Sequence, residues 1–153
     1  MGHREKKPRV LLVDDDAESC CALAELLRLE DFDPWPFHGA EEAWAIMATG
    51  ALHPDVAVVD VRMPGMNGVE LLQLIKARFP ALPVLLISAF PDERLWRQGL
   101  GAGAVDVFPK PIHGPSLVRV LHQIVNPSAA GPRGDTENPG SPPAGGPTSR
   151  RES

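Results

Sequence analysis

The amino-acid sequence predicts an α/β fold: a doubly wound, five-stranded parallel sheet held between two layers of helices. Three observations carry this reading. The runs Arg9–Val13, Val56–Val59 and Val84–Ile87 are apolar almost without interruption and are bounded by Asp, Pro or Ser. That is the pattern of central parallel strands covered on both faces, where no polar face has to alternate with the apolar one. Segments with apolar residues at three- and four-residue steps separate these runs, so strands and helices alternate along the chain. A further strand-like stretch, Asp33–Phe37, carries Pro34 and Pro36, which lack amide donors and confine it to an edge of the sheet.

The elements follow in order. The first strand leads into a helix that begins near Ala17 and continues through Leu23, Leu26, Leu27 and Glu30. After the edge strand, Glu41 to Met47 make a second helix. The third strand precedes a helix capped by Asn67 or Gly68, with Leu71, Leu72, Ile75 and Phe79 along one face. Asp92 caps a fourth helix that runs through Leu100, and Gly101 and Gly103 stop it. Val105–Phe108 is a short fifth strand. Pro115 suits the first turn of a fifth helix, whose apolar face is Leu117, Val118, Leu121, Ile124 and Val125. Five βα units with right-handed crossovers and an edge position for the second strand give a three-layer sandwich in the flavodoxin-like order 2-1-3-4-5.

Composition sets the boundaries. The 153 residues are 43% hydrophobic and 23% charged, ordinary values for one soluble domain. Residues 1–8 read as a short basic arm and 9–125 as the folded domain. Residues 126–153 hold six prolines and five glycines with few large apolar side chains, a segment expected to be disordered. The net charge is −5 overall, +2 in residues 1–8 and zero in 126–153, which leaves −7 on the body. An acidic body argues against direct binding of nucleic acid. The apolar runs are too short to span a membrane, and the basic start is not followed by a signal-peptide core, so a cytoplasmic location is expected. Cys20 and Cys21 are adjacent and match neither a disulfide framework nor a zinc pattern; the five histidines likewise lack metal-site spacing and read as incidental.

In an open parallel sheet, functional groups gather at the carboxyl ends of the strands. Those ends hold Asp14, Asp15 and Asp16, then Asp60, Ser88 and Lys110. Taken singly, a strand-end aspartate or serine is most often a helix cap and a lysine a solvated surface group. Together, each at the end of its own strand, they form a set with one purpose. Crowded carboxylates raise one another's pKa unless a cation intervenes, and Mg²⁺ favours a few carboxylates plus water. A lysine and a hydroxyl beside such an ion can hold the remaining oxygens of a phosphoryl group moving onto a carboxylate.

Four blocks in order resemble a bacterial two-component response-regulator receiver domain over about residues 9–125: VLLVDDD, VVDVRMPGMNGVELL, VLLISAF and GAVDVFPKPI. The resemblance implies that Asp60 accepts a phosphoryl group from a sensor histidine kinase or phosphotransfer protein. It implies that Asp15 and Asp60 bind Mg²⁺ directly, Asp14 through water, and the backbone carbonyl of Arg62 as a further ligand. Ser88 and Lys110 would hold phosphoryl oxygens, Gly65 and Gly68 would shape a tight loop, and Lys110–Pro111 is a candidate cis bond. A protein target would be met on the face made by the fourth helix, fifth strand and fifth helix. The wording VRMPGMNG is similar to that of receivers that precede a helix-turn-helix DNA-binding domain, the LuxR/FixJ-like class. No such domain follows Val125 here, so the expectation is a stand-alone receiver or a piece ending in a linker.

Two departures accompany the resemblance. Receivers carry Tyr or Phe three residues before the lysine; here that position is Val107. The neighbouring Phe108 should face the other way and not replace it. Arg62 and Phe90 occupy positions that tune phosphoryl lifetime in the family, and bulky Phe90 is expected to hinder water. Trp96 is either an exposed anchor for partners or part of the core. The alternatives weighed against a phosphorylation switch are a phosphorylation-independent docking scaffold, a haloacid-dehalogenase-like phosphotransferase and a dinucleotide-binding domain. The second needs an acid where Arg62 stands, and the third needs a glycine-rich loop where the aspartates stand.

Overall fold

The computed structural model describes residues 6–126, and its helices and strands alternate throughout. β1 (Arg9–Val13), β2 (Asp33–Phe37), β3 (Val56–Asp60), β4 (Val84–Ser88) and β5 (Asp106–Pro109) are all parallel, in the order β2-β1-β3-β4-β5. Between and after them come α1 (Ala17–Leu29), α2 (Ala40–Thr49), α3 (Gly68–Arg78), α4 (Glu93–Gly101) and α5 (Gly114–Val125). The expected order and edge strand are therefore present. The first five residues of the arm and the tail from 127 onward lie outside the described residues.

The two faces of the sheet bury alternate residues of each strand, as the two-residue period requires. Leu11, Val13, Ala57, Val59, Val84, Leu86 and Val107 pack on one face beneath α2, α3 and α4. Val10, Leu12, Val56, Val58, Leu85, Ile87 and Phe108 pack on the other, beneath α1 and α5. Every residue of β3 and β4 is buried, which is why neither strand shows a polar alternation. Full burial stabilises by about 1.5–3 kcal/mol for each Val, Leu or Ile relative to exposure. The sheet is thereby the most constrained part of the domain, and its strand ends are fixed points.

Most element boundaries match the sequence reading, and the differences have local causes. Val105 is 46% exposed and precedes β5, which begins one residue later. α1 stops before Glu30, where Asp31 takes a positive φ of 70° and turns the chain so that Phe32 can return to the core. α2 starts at Ala40 and reaches Thr49, because Gly50 at φ 81° supplies the left-handed cap. α5 starts at Gly114, capped by His113: its Nδ1 lies 3.3 Å from the Ser116 amide that donates to it. His113 is thus not incidental, and its spacing to Ser116 beside a proline was the available signal.

The edge strand shows why its prolines are tolerated. The Asp33 N–H donates to the Pro8 carbonyl and the Phe37 carbonyl accepts from the Asp14 N–H, so odd-numbered residues of β2 face β1. Pro34 and Pro36 fall on the alternate positions, whose amides would face outward. The free edge consequently offers no N–H donor there to another strand, a common guard against edge-to-edge pairing. Replacing both prolines by valine is expected to produce concentration-dependent self-association measurable by light scattering. A double variant that scatters like the parent would count against this role.

Candidate functional site

Because the strands are parallel, their carboxyl ends open along one edge, and the loops that follow them converge. Asp14 directly follows β1, Asp60 ends β3, Ser88 ends β4 and Lys110 directly follows β5. The sheet brings these residues together from positions far apart in sequence. Lys110 Nζ lies 2.9 Å from Asp60 Oδ2 and 3.3 Å from Asp14 Oδ2. One carboxylate oxygen from each of Asp14, Asp15 and Asp60 falls within 4.8 Å of the others. Asp14, Asp60 and Ser88 are buried, whereas Asp15 is exposed and leaves the cluster open to solvent on its side.

The three consecutive aspartates divide their work. Asp16 caps α1, accepting from the Glu18 N–H at 3.2 Å and the Ser19 hydroxyl at 2.9 Å. Its capping bond with Ser19 holds the Asp16 carboxyl below its ordinary range. Asp14 and Asp15 are left to the cluster. Burial pushes the Asp60 carboxyl up to about 6, against the opposing hydrogen bond from Lys110 and in step with the neighbouring Asp14. Burial works to lower the Lys110 ammonium, but its bonds to Asp60 and Asp14 outweigh it and the group stays above its ordinary value. Three carboxylates facing one ammonium leave a surplus of negative charge, presented by hard oxygen donors with one open side. That donor set fits a small hard cation.

The loops are shaped by specific residues. Asn67 caps α3 in a reciprocal box: its side chain accepts from the Glu70 N–H and the Glu70 side chain accepts from the Asn67 N–H, both at 2.9 Å. Gly68 is required by close approach, since a Cβ there would lie 2.8 Å from Val61 Cα and clash with the Asp60 carbonyl. The start of α3 is thereby pressed against the end of β3. The Arg62 N–H donates to Asp60 Oδ1 at 3.3 Å. On the other side of Asp60, the Ser88 hydroxyl accepts from the Phe90 N–H at 3.1 Å, and the Phe90 ring is 70% exposed. The Arg62 guanidinium lies 5.7 Å from the centre of that ring, joining the two loops. The Lys110–Pro111 bond is cis, as expected. Beside the cluster, a cavity of 540 Å³ opens between α1 and the segment after β5, walled by Leu23, Leu26, Pro111 and Ile112, with Asp14 and Lys110 at its back.

Val107 and Phe108 face opposite sides of the sheet, as expected: Val107 belongs to the α2–α3–α4 side and Phe108, 1% exposed, to the α1–α5 side. Trp96 is 6% exposed within the core under α4, so its indole packs inside and is not an exposed anchor. Cys20 is buried, which pushes its thiol up to about 11, while Cys21 is exposed.

A sequence profile described as the response regulator receiver domain matches residues 10–122. The chain belongs to this family. The receiver is 34% identical over 134 residues to the transcriptional regulatory protein CpxR of Klebsiella pneumoniae, covering 88% of this chain and 56% of that protein. It is 36% identical over 113 residues to the response regulator protein FleR of Pseudomonas aeruginosa, covering 74% of this chain and 24% of that one. It thus spans only part of the length of these relatives. Among solved structures, a chain of the CheX-CheY-BeF3-Mg²⁺ complex from Borrelia burgdorferi superposes with a TM-score of 0.71 at 25% identity, covering 76% of this chain and 88% of that chain. The protein is a response-regulator receiver domain of two-component systems. No helix among the described residues is long and apolar enough to cross a membrane.

The raised Asp60 carboxyl has a consequence for stability without metal. Between 3.8 and about 6 the folded receiver retains a proton that the unfolded chain has released. Stability contributed by this group therefore falls as pH rises through that window. In chelator, Asp60→Asn is expected to melt at a higher temperature than the parent at neutral pH, with the difference shrinking as pH falls from about 6 to 3.8. Equal melting temperatures at neutral pH would contradict this account.

Proposed function

We propose that Asp60 of this receiver accepts a phosphoryl group from the phosphohistidine of a sensor histidine kinase or phosphotransfer protein, with Mg²⁺ bound, and that the resulting aspartyl phosphate alters binding to a protein target. The observation that carries this reading is the position of Asp60: buried at a strand end, 2.9 Å from Lys110 and grouped with Asp14 and Asp15. An Asp60 oxygen attacks phosphorus, the nitrogen–phosphorus bond of the phosphohistidine breaks, and its electron pair stays with the leaving imidazole. Lys110 turns from a carboxylate to a phosphoryl oxygen, and the Ser88 hydroxyl donates to another. Asp14, Asp15, Asp60 and the Arg62 carbonyl would hold Mg²⁺, which when bound offsets the charge that accumulates as phosphate meets carboxylate.

Transfer of this kind is self-catalysed and turns over no external substrate, so the domain acts as a switch and not as an enzyme. The location that suits it is cytoplasmic, where phosphohistidine donors of this class and Mg²⁺ are found. The α4–β5–α5 face is the proposed target surface; Leu100 and Val105 are exposed apolar residues beside it, 43% and 46% accessible. The acidic body supports protein targets over direct contact with nucleic acid. Acetyl phosphate with Mg²⁺ is expected to label the protein, and Asp60→Asn to abolish labelling, as followed by intact mass. A protein that remains unlabelled would favour the phosphorylation-independent docking scaffold, a reading that Val107 supports by replacing the usual aromatic.

The Arg62–Phe90 pair bears on how long the phosphoryl group survives. It bridges the loops on either side of Asp60, where water must approach in line with the phosphorus–oxygen bond. Phe90→Ala is expected to shorten the lifetime of the aspartyl phosphate several-fold, measured by the decay of the labelled mass. An unchanged or longer lifetime would remove Phe90 from this role.

A further inference from the structure

The segment between β3 and α3 carries Arg62, whose own N–H donates to Asp60 Oδ1 at 3.3 Å, and it is tied at further points along its length. At its base the Gly68 N–H donates to the Val61 carbonyl at 2.9 Å. Its far side is held from a different element. Glu41, in the first turn of α2, accepts from the Met66 N–H on Oε2 at 2.9 Å, across 25 residues of sequence. Gly65 leaves room for this contact. It takes φ +77°, and a Cβ there would sit 2.7 Å from Glu41 Oε2, inside the space the carboxylate occupies. The Met66 N–H also holds the Glu41 carboxyl below its ordinary range, so the acceptor is ionised at neutral pH.

The helix that bears Glu41 is itself well anchored: Ala40, Ala43 and Met47 are buried against the sheet. The carboxylate therefore refers the loop to a rigid layer of the fold, not only to the strand from which it emerges. Loops pinned at one end alone sample several conformations, and a backbone carbonyl can serve a cation with strict octahedral preferences only if its direction is set. Glu41 lies outside the Asp14–Asp15–Asp60 cluster, and its sequence neighbourhood shows no metal-ligand spacing.

We infer that Glu41 is a positioning residue of the acceptor site: its carboxylate fixes the β3–α3 loop so that the Arg62 carbonyl is presented to the cation. The inference rests on the reading of Asp60 as a Mg²⁺-dependent acceptor. Three variants of the full chain test it by calorimetric titration with MgCl2, alongside thermal melts and hydrogen exchange. Glu41→Ala removes the acceptor. Glu41→Gln keeps an acceptor and drops the charge. Asp55→Ala removes the acceptor of the Arg9 N–H at the opposite end of the sheet and reports the effect of a lost hydrogen bond remote from the site.

Glu41→Ala is expected to weaken Mg²⁺ binding about 10-fold, the lower end of what losing an orienting partner costs a metal site. Its Met66 amide should exchange faster than in the parent. Glu41→Gln should recover most of the affinity, and Asp55→Ala should bind Mg²⁺ as the parent does even where its melting temperature drops. A parent that binds Mg²⁺ with Glu41→Ala binding equally well overturns the inference alone, as does an unchanged Met66 exchange rate. Glutamine no better than alanine would assign the effect to charge and also overturn it. A parent that takes up no Mg²⁺ overturns the functional reading, and this inference with it.

Discussion

Lys110 stands between two buried carboxylates, 2.9 Å from Asp60 and 3.3 Å from Asp14, and the arrangement of the whole carboxyl edge answers to that crowding. Buried charges are tolerated only when paired, because desolvation costs several kcal/mol for each ion. One ammonium cannot satisfy three carboxylates, so the site is held in electrostatic imbalance by the folding of everything beneath it. The imbalance is chemically useful because it favours a cation; without one, burial foremost and the neighbouring Asp14 raise the Asp60 carboxyl to about 6. The stability that keeps these groups together comes from elsewhere, from strands buried on both faces that leave no freedom in where their ends lie.

The loops that complete the edge are short and individually tied. Asp16 caps α1 and so takes itself out of the acidic cluster, while Asn67 and Glu70 close a capping box at the start of α3. Gly68 lets α3 press on the backbone of Asp60 and Val61. Glu41 reaches across from α2 to Met66. Each tie is modest, a hydrogen bond worth about 1 kcal/mol net. Their sum is geometric more than energetic, since a cation or phosphoryl group is served by oxygen positions that do not wander.

The far side of the sheet from α1 and α5 shows a different economy. Gly99 allows α4 to approach so closely that a Cβ there would lie 2.8 Å from Leu86 Cδ1. Trp96 fills the adjoining core, and Val107 lies buried in the same cluster. Where relatives of this family place an aromatic ring that can turn, this chain places a branched aliphatic with no polar tip and little rotamer freedom. Trp96 is carried by α4, so any displacement of that helix has to repack a buried indole.

The sequence by itself determined the alternation of strands and helices, the strand order and the identity of the residues gathered at the carboxyl edge. These follow from short-range chemistry: short apolar runs without alternation, bounded by Asp, Pro or Ser, suit doubly covered strands, and prolines at 34 and 36 favour an edge position. The Asn67–Glu70 and Asp92 caps belong to the same class, since a cap is recognised within four residues. Tertiary structure alone decided the rest. It chose Asp16 and not Asp14 as the cap and sent Trp96 inward. It also joined Glu41 to Met66 and Arg62 to Phe90. Such pairings depend on the angle at which one layer crosses another and on the space a glycine leaves, and a side chain's neighbours across 25 residues are not encoded in its own period or propensity.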